Sequence, residues 1–79
     1  MDRHDWLTAK RADVRLTAAS YAIGALTYLL GPEFPGTDAE RLARIGEAVE
    51  RLDQVFELTW ADDFDPKTAT DLALGRDAR

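Results

Sequence analysis

The sequence predicts an all-α fold, an antiparallel helical hairpin followed by a short third helix. Apolar residues recur every three or four positions along two long segments, which is the spacing of one helix face. Helix-ending signals separate these segments: Gly31-Pro32 follows the first, and Asp65-Pro66 precedes the third. No segment alternates apolar and polar residues as a half-buried strand does.

The first helix is predicted over residues 5–30. Asp2 or Asp5 can cap it, because a short acidic side chain accepts hydrogen bonds from the unpaired amides of a first turn. Gly31-Pro32 ends it, since proline cannot continue a helix. At ~1.5 Å per residue this helix would be roughly 40 Å long.

The second helix is predicted over residues 38–60 and the third over residues 66–74. Thr37 and Glu40 fit a capping box, in which each side chain bonds to the other residue's amide. Asp65 followed by Pro66 gives the third helix an N-cap and a proline at its first position. The loop GPEFPGT between the long helices is short, so they should pack as neighbours within a single domain, residues 1–79.

Each long helix carries an apolar stripe at the alternating spacing typical of helix–helix contacts. We expect the two stripes to face each other in the hairpin, with the small alanines of the first helix accepting the bulkier side chains of the second. The stripes are Ala9, Ala12, Leu16, Ala19, Ile23, Leu26 and Leu30 in the first helix, and Leu42, Ile45, Val49, Leu52 and Phe56 in the second.

A second apolar side of the first helix would then be left uncovered. A third helix of two turns is too short to cover it, so we expect a second copy of the chain or a different protein there, and we favour the second copy, which gives a homodimeric four-helix bundle. The predicted interface consists of Leu7, Val14, Ala18, Tyr21, Ala22, Ala25, Tyr28 and Leu29. Lipid is the alternative cover, but the uncharged run 16–32 is short for a membrane span and contains serine, threonine and tyrosine.

The composition of the chain limits the classes of function that it can have. A chain of 79 residues has a small core and usually needs support from disulfides, a metal or a partner chain. It has no cysteine and one histidine, His4, so we predict no disulfide, no zinc site and no cofactor. The net charge is −5, and all the excess acid lies in residues 36–79. This is a poor match for nucleic acid, whose partners present a basic face.

Two groups of polar residues are candidate chemical sites. His4 lies beside Asp5, but adjacent helical residues point about 100° apart and no nucleophile is near in sequence. An acidic run near the end of the second helix lacks the ligand order of an EF-hand loop, so we expect a solvated acidic loop there, with an acidic docking patch as the second interpretation and a metal site as the third. That patch consists of Glu57, Asp62, Asp63 and Asp65.

Two aromatic residues should meet at one end of the hairpin. Trp6 opens the first helix and Trp60 closes the second, and in an antiparallel pair these ends are adjacent. We expect the two rings to form a shared aromatic plug.

These observations predict a non-enzymatic protein-interaction module: an adaptor, small subunit or regulator that binds itself and a larger protein. One alternative is an acidic inhibitor or nucleic-acid mimic of phage or plasmid type, since residues 36–79 hold eleven acidic and six basic residues. Another is a small DNA-binding regulator that uses the basic first helix. The absence of a signal sequence favours the cytoplasm, and the arginine- and alanine-rich composition without asparagine favours a bacterial or phage source.

Overall fold

The computed structural model describes residues 2–76, which form three helices and no strand. Helix α1 spans Arg3–Leu30, α2 spans Asp38–Trp60 and α3 spans Pro66–Ala73. The two long helices run antiparallel, and α3 packs across both of them near the end where α1 begins and α2 finishes. The predicted all-α class and the three helices are confirmed.

The helix starts follow from local side-chain chemistry. Asp2 caps α1 by accepting a hydrogen bond of 2.9 Å from the amide of Asp5. Thr37 and Glu40 form the predicted capping box at the start of α2, with both hydrogen bonds 3.1 Å long. Each of these bonds gives a partner to an amide that a helix leaves unpaired in its first turn.

Arginines from the neighbouring helix complete the ends of α1 and α2. Neither helix has a basic residue in its own last turn. At the end of α1, the Arg41 guanidinium of α2 donates from Nη1 to the carbonyl oxygens of Leu29 and Gly31. The same guanidinium lies 5.1 Å from the ring centre of Phe34, in the loop that follows. A cation is therefore held against the negative end of the α1 dipole.

The end of α2 is completed in the same way by an arginine of α1. Arg11 Nη1 donates to the carbonyl oxygens of Thr59, at 2.6 Å, and Ala61, at 3.0 Å. Its guanidinium lies 4.9 Å from the ring centre of Phe64. The two ends of the hairpin thus use one arrangement: an arginine, two carbonyl groups and a phenylalanine three residues beyond the C-cap.

The core lies where α3 meets the hairpin. Its buried members are Val14 and Ala18 of α1, Val55 of α2, and Ala69 and Ala73 of α3. Most of these side chains are small, so the three helix backbones can approach one another closely. Partly buried hydrophobic residues surround them, namely Leu52, Leu58, Phe64 and Leu72.

The predicted burial of the two long stripes against each other is wrong for most of their large side chains. Leu16, Ile23 and Leu30 of α1 are 64–69% exposed, and Leu42 and Val49 of α2 are 70% and 53% exposed. The opposite side of α1 faces inward instead. Small apolar side chains of α3 pack against that side, and Arg11 bonds from it to the end of α2. Periodicity located both apolar sides of α1 correctly, but the side predicted to be buried in the hairpin is the exposed one, and the side predicted to be left uncovered is the buried one.

Candidate protein-interaction surface

A continuous set of large hydrophobic side chains lies open on one side of the hairpin. We call this set the apolar face. Its members are between 36% and 70% exposed, whereas a single domain normally buries such residues. They are Leu16, Ile23 and Leu30 of α1, and Leu42, Val49, Phe56 and Trp60 of α2.

Both helices contribute to the same side, the one that points away from α3. Successive side chains of α1 point about 100° apart. Val14 points into the core, Arg15 points toward α2, where it lies over the Trp60 ring, and Leu16 is exposed on the far side. On α2, the direction toward α1 lies between the side that meets α3 and the exposed side. Arg41 points toward α1, and the next residue, Leu42, is exposed. Because the helices are antiparallel, these two rotations lead to one surface.

The register of the hairpin arranges the apolar face in layers. The arginine contacts at the two ends bring residue 11 beside residues 59–61, and residue 41 beside residues 29–31. Residues at equal height therefore pair as Leu16 with Phe56, Ile23 with Val49, and Leu30 with Leu42. Half-buried side chains fill the seam between the two rows, namely Ala19, Leu26, Ile45 and Leu52.

The two long edges of the apolar face differ in charge. Along the outer edge of α2, Glu50, Asp53 and Glu57 recur every three or four residues, and all three are exposed. Along the outer edge of α1, the corresponding positions are the uncharged Ser20 and Thr27 and, nearer the start of the helix, the acidic Asp13, and all three are exposed. One edge is therefore acidic and the other is mostly neutral.

The two tryptophans do not form the predicted plug. Trp6 is 41% exposed and Trp60 is 70% exposed. Lys10 Nζ lies 5.8 Å from the Trp6 ring centre, and the Arg15 guanidinium lies 4.5 Å from that of Trp60. Cations thus cover one side of each ring, and Phe64 with Arg11 closes this end of the hairpin instead.

The predicted interface on α1 is corrected by the same geometry. Val14, Ala18, Ala22 and Leu29 are at most 8% exposed in the chain's own fold, so they are not available to a partner. The other predicted members, Leu7, Tyr21, Ala25 and Tyr28, are exposed or half-buried. The Tyr28 ring meets the edge of Phe34 at a centre-to-centre distance of 6.0 Å.

A groove lies on the α3 side of the hairpin, next to the end of α3, whose Leu72 and Ala73 line part of it. It has a volume of about 400 Å³, with Ala22, Ala25 and Leu29 on the α1 side. Charged side chains of both signs line its α2 side, among them Arg44, Glu47 and Arg51. The groove is open and of mixed charge, and the apolar face is the more distinctive surface.

The acidic run at the end of α2 does not converge on one point. Glu57, Asp62 and Asp63 are exposed. Asp65 accepts hydrogen bonds from the hydroxyl and the amide of Thr68 at the start of α3, and the hydroxyl bond lowers the pKa of its carboxyl group. Asp65 is thereby accounted for as a helix cap. Its neighbours carry charge, but nothing in the fold brings them together as ligands.

The described residues contain no group of three or more histidine, cysteine or acidic side chains arranged to hold a metal ion. His4 is exposed in the first turn of α1, where its carbonyl group accepts a hydrogen bond from the Thr8 hydroxyl. Within the same part of the chain, no helix has the length and apolar character needed to cross a membrane.

Much of the basic charge of α1 is already used within the chain. Lys10, Arg11 and Arg15 lie over aromatic rings, and Arg11 also bonds to two carbonyl groups of α2. Phosphate binding would have to compete with these contacts. This arrangement weakens the case for α1 as a DNA-binding helix.

Sequence reasoning missed both the orientation of the apolar face and the arginine caps. A signal for the caps was present: a phenylalanine stands three residues after the C-cap of each long helix, Phe34 after Gly31 and Phe64 after Ala61. No protein-family model, curated protein or solved structure matches this chain, so its function is inferred from its surface.

Proposed function

We propose that this protein is a non-enzymatic interaction module whose working surface is the apolar face. The single observation that carries the proposal is the seven large hydrophobic side chains exposed on one side of a two-helix layer. Surfaces of this kind mark protein-binding sites, because isolated domains rarely leave a contiguous apolar patch of several hundred Å² in water. The module acts by association, as an adaptor, small subunit or regulator.

The first partner is a second copy of the chain, which completes a four-helix bundle. Together with the half-buried residues of the seam, both rows of the apolar face keep the alternating three- and four-residue spacing of bundle cores. Two hairpins stacked through these rows would give the face the neighbours that it lacks in one chain. A larger protein is the second partner, and it would bind the assembled bundle.

The test is the molar mass in solution of three proteins. We expect the unmodified chain to show twice its 8.8 kDa at micromolar concentrations. Val49→Glu places a charge in the middle of the apolar face, so the mass should fall to that of one chain. Gln54→Glu adds the same charge at an exposed position of α2 away from the face, and the double mass should persist.

A single-chain mass for the unmodified protein up to several hundred micromolar would refute self-association. A double mass that survives Val49→Glu would show that another surface makes the contact. Circular dichroism of both variants provides the control for folding, since Val49 and Gln54 are exposed and their replacement should preserve the helical signal.

A further inference from the structure

We infer how the second copy is oriented: the two-fold axis runs parallel to the helices, so that α1 of each copy packs against α2 of the other. This inference rests on the proposed self-association and adds the helix pairing to it. Stacking two hairpins through the apolar face allows one alternative, an axis perpendicular to the helices, which pairs α1 with α1 and α2 with α2. The area of the apolar face supports a second copy as its partner, and side-chain size and the charge along its edges favour one of the two axes.

The area of the apolar face is sufficient for a second copy. A large hydrophobic side chain that is about two-thirds exposed offers on the order of 100 Å² to a partner. Five of the seven side chains are exposed to this extent and Val49 and Phe56 to a smaller one, so the face offers on the order of 700 Å² from each chain, close to the ~800 Å² per partner of a standard interface. Each copy presents the same face, as an isologous dimer requires.

Side-chain size favours pairing α1 with α2. The axis parallel to the helices keeps residues of equal height together, so Trp60 of one copy lies opposite the small Ala12 of the other. At the next layer, Phe56 lies opposite Leu16. The perpendicular axis would instead stack the bulky α2 rows on each other and the alanine-rich starts of α1 on the far ends of α1. Large-against-small packing keeps the two layers at a more even separation.

Charge at the edges favours the same pairing. With α2 against α2, Glu50, Asp53 and Glu57 of one copy would face the same three carboxylates of the other. Like charges at positions that flank a helix–helix contact are destabilising and help to set helix orientation. With α1 against α2, Glu50 and Asp53 lie instead beside the uncharged Ser20 and Thr27, and only Glu57 lies near an acidic residue, Asp13.

The chain permits a direct test because it contains no cysteine. Single variants Ser20→Cys and Asp53→Cys place one thiol on each edge of the apolar face, near the middle of its length. A short bismaleimide linker is added to each variant alone and to a mixture refolded together. The variants differ in mass, so mass spectrometry identifies which copies become joined.

We expect efficient linkage of S20C to D53C in the mixture, and little linkage of either variant alone. Gln54→Cys, which is exposed next to Asp53 but points to the α3 side of α2, away from the apolar face, should remain unlinked to S20C. Strong linkage of S20C to itself and of D53C to itself would overturn the proposed orientation while leaving the dimer intact. A single-chain mass before linkage would instead refute self-association, so the two failures are distinguishable.

Discussion

Replacing Arg41 should destabilise the fold far more than replacing a neighbouring arginine. Arg41 of α2 bonds to the carbonyl groups of Leu29 and Gly31 and lies over the Phe34 ring. Its side chain is 25% exposed, so these contacts are only partly screened by water. The change Arg41→Ala removes all three contacts and leaves the end of α1 without its cation.

The magnitude follows from the contacts. A hydrogen bond that involves a charged group contributes about 1.5–3 kcal/mol, and a cation over an aromatic ring adds about 0.5–1 kcal/mol or more. Because the two hydrogen bonds share one nitrogen and are not additive, we expect a net loss of about 2–4 kcal/mol. A chain of 79 residues has a total stability of roughly 4–12 kcal/mol, so the loss is a large fraction.

The assay is thermal unfolding followed by circular dichroism, at one fixed chain concentration because association shifts the midpoint. In a domain of this size, 1 kcal/mol shifts Tm by about 4–8 °C, so Arg41→Ala should lower it by at least about 8 °C. The matched control is Arg44→Ala, one turn along α2, where the arginine is exposed and the change should cost at most about 0.5 kcal/mol.

The variant Arg41→Lys separates charge from geometry. Lysine keeps a cation near the end of α1 but lacks the planar group that both reaches two carbonyl groups and stacks on a ring. We expect it to recover less than half of the lost stability. A Tm for Arg41→Ala within about 2 °C of that for Arg44→Ala would refute the reasoning, since it would mean that these contacts contribute no net free energy.

The remaining predictions concern pH and backbone conformation. The Thr37 amide bonds to the Glu40 carboxylate and lowers its pKa from the usual 4.5, so this contribution to stability is complete above that pH and disappears as the pH falls through the lowered value. Glu40→Gln should therefore flatten the loss of stability that urea unfolding shows between about pH 5 and about pH 3; an equally steep loss would contradict this role. Gly24→Ala should raise the free energy of unfolding by about 0.5–1 kcal/mol, because a Cβ there meets no atom within 4 Å. Gly75→Ala should lower it by about 1 kcal/mol, because Gly75 has a φ of +74°; equal effects of the two alanines would contradict the backbone argument.

The features that sequence predicted well are local ones. The capping box of Thr37 and Glu40 and the Asp65-Pro66 start of α3 each depend on residues within one turn of helix. A short polar side chain at a helix start needs no distant partner to act, so its residue type carries the information. The breaks between helices are local as well, since Gly31-Pro32 cannot continue a helix in any tertiary setting.

The features that sequence missed depend on contacts between distant elements. The side chain of Arg11 finds its carbonyl partners 48 and 50 residues along the chain, a choice fixed only once α1 and α2 are side by side. The inward side of α1 is likewise chosen by α3, whose Ala69 and Ala73 are small enough to lie close to Val14. Periodicity shows that a side of a helix is apolar, but it cannot name the element that covers it.

The distribution of side-chain size explains why the missed choice matters for function. Within one chain, the buried core is built mainly from valines and alanines, and Val55 is the largest hydrophobic residue that is fully buried. The bulkier residues, including Phe56 and Trp60, lie on or near the surface, although the burial of large side chains contributes most to stability. A small domain gains little from so small a core.

The side chains with most to gain from burial are therefore those of the apolar face. In the proposed bundle, their burial would couple folding to association. The midpoint of unfolding should then rise with chain concentration, whereas in a protein stabilised by its own core alone it would be constant.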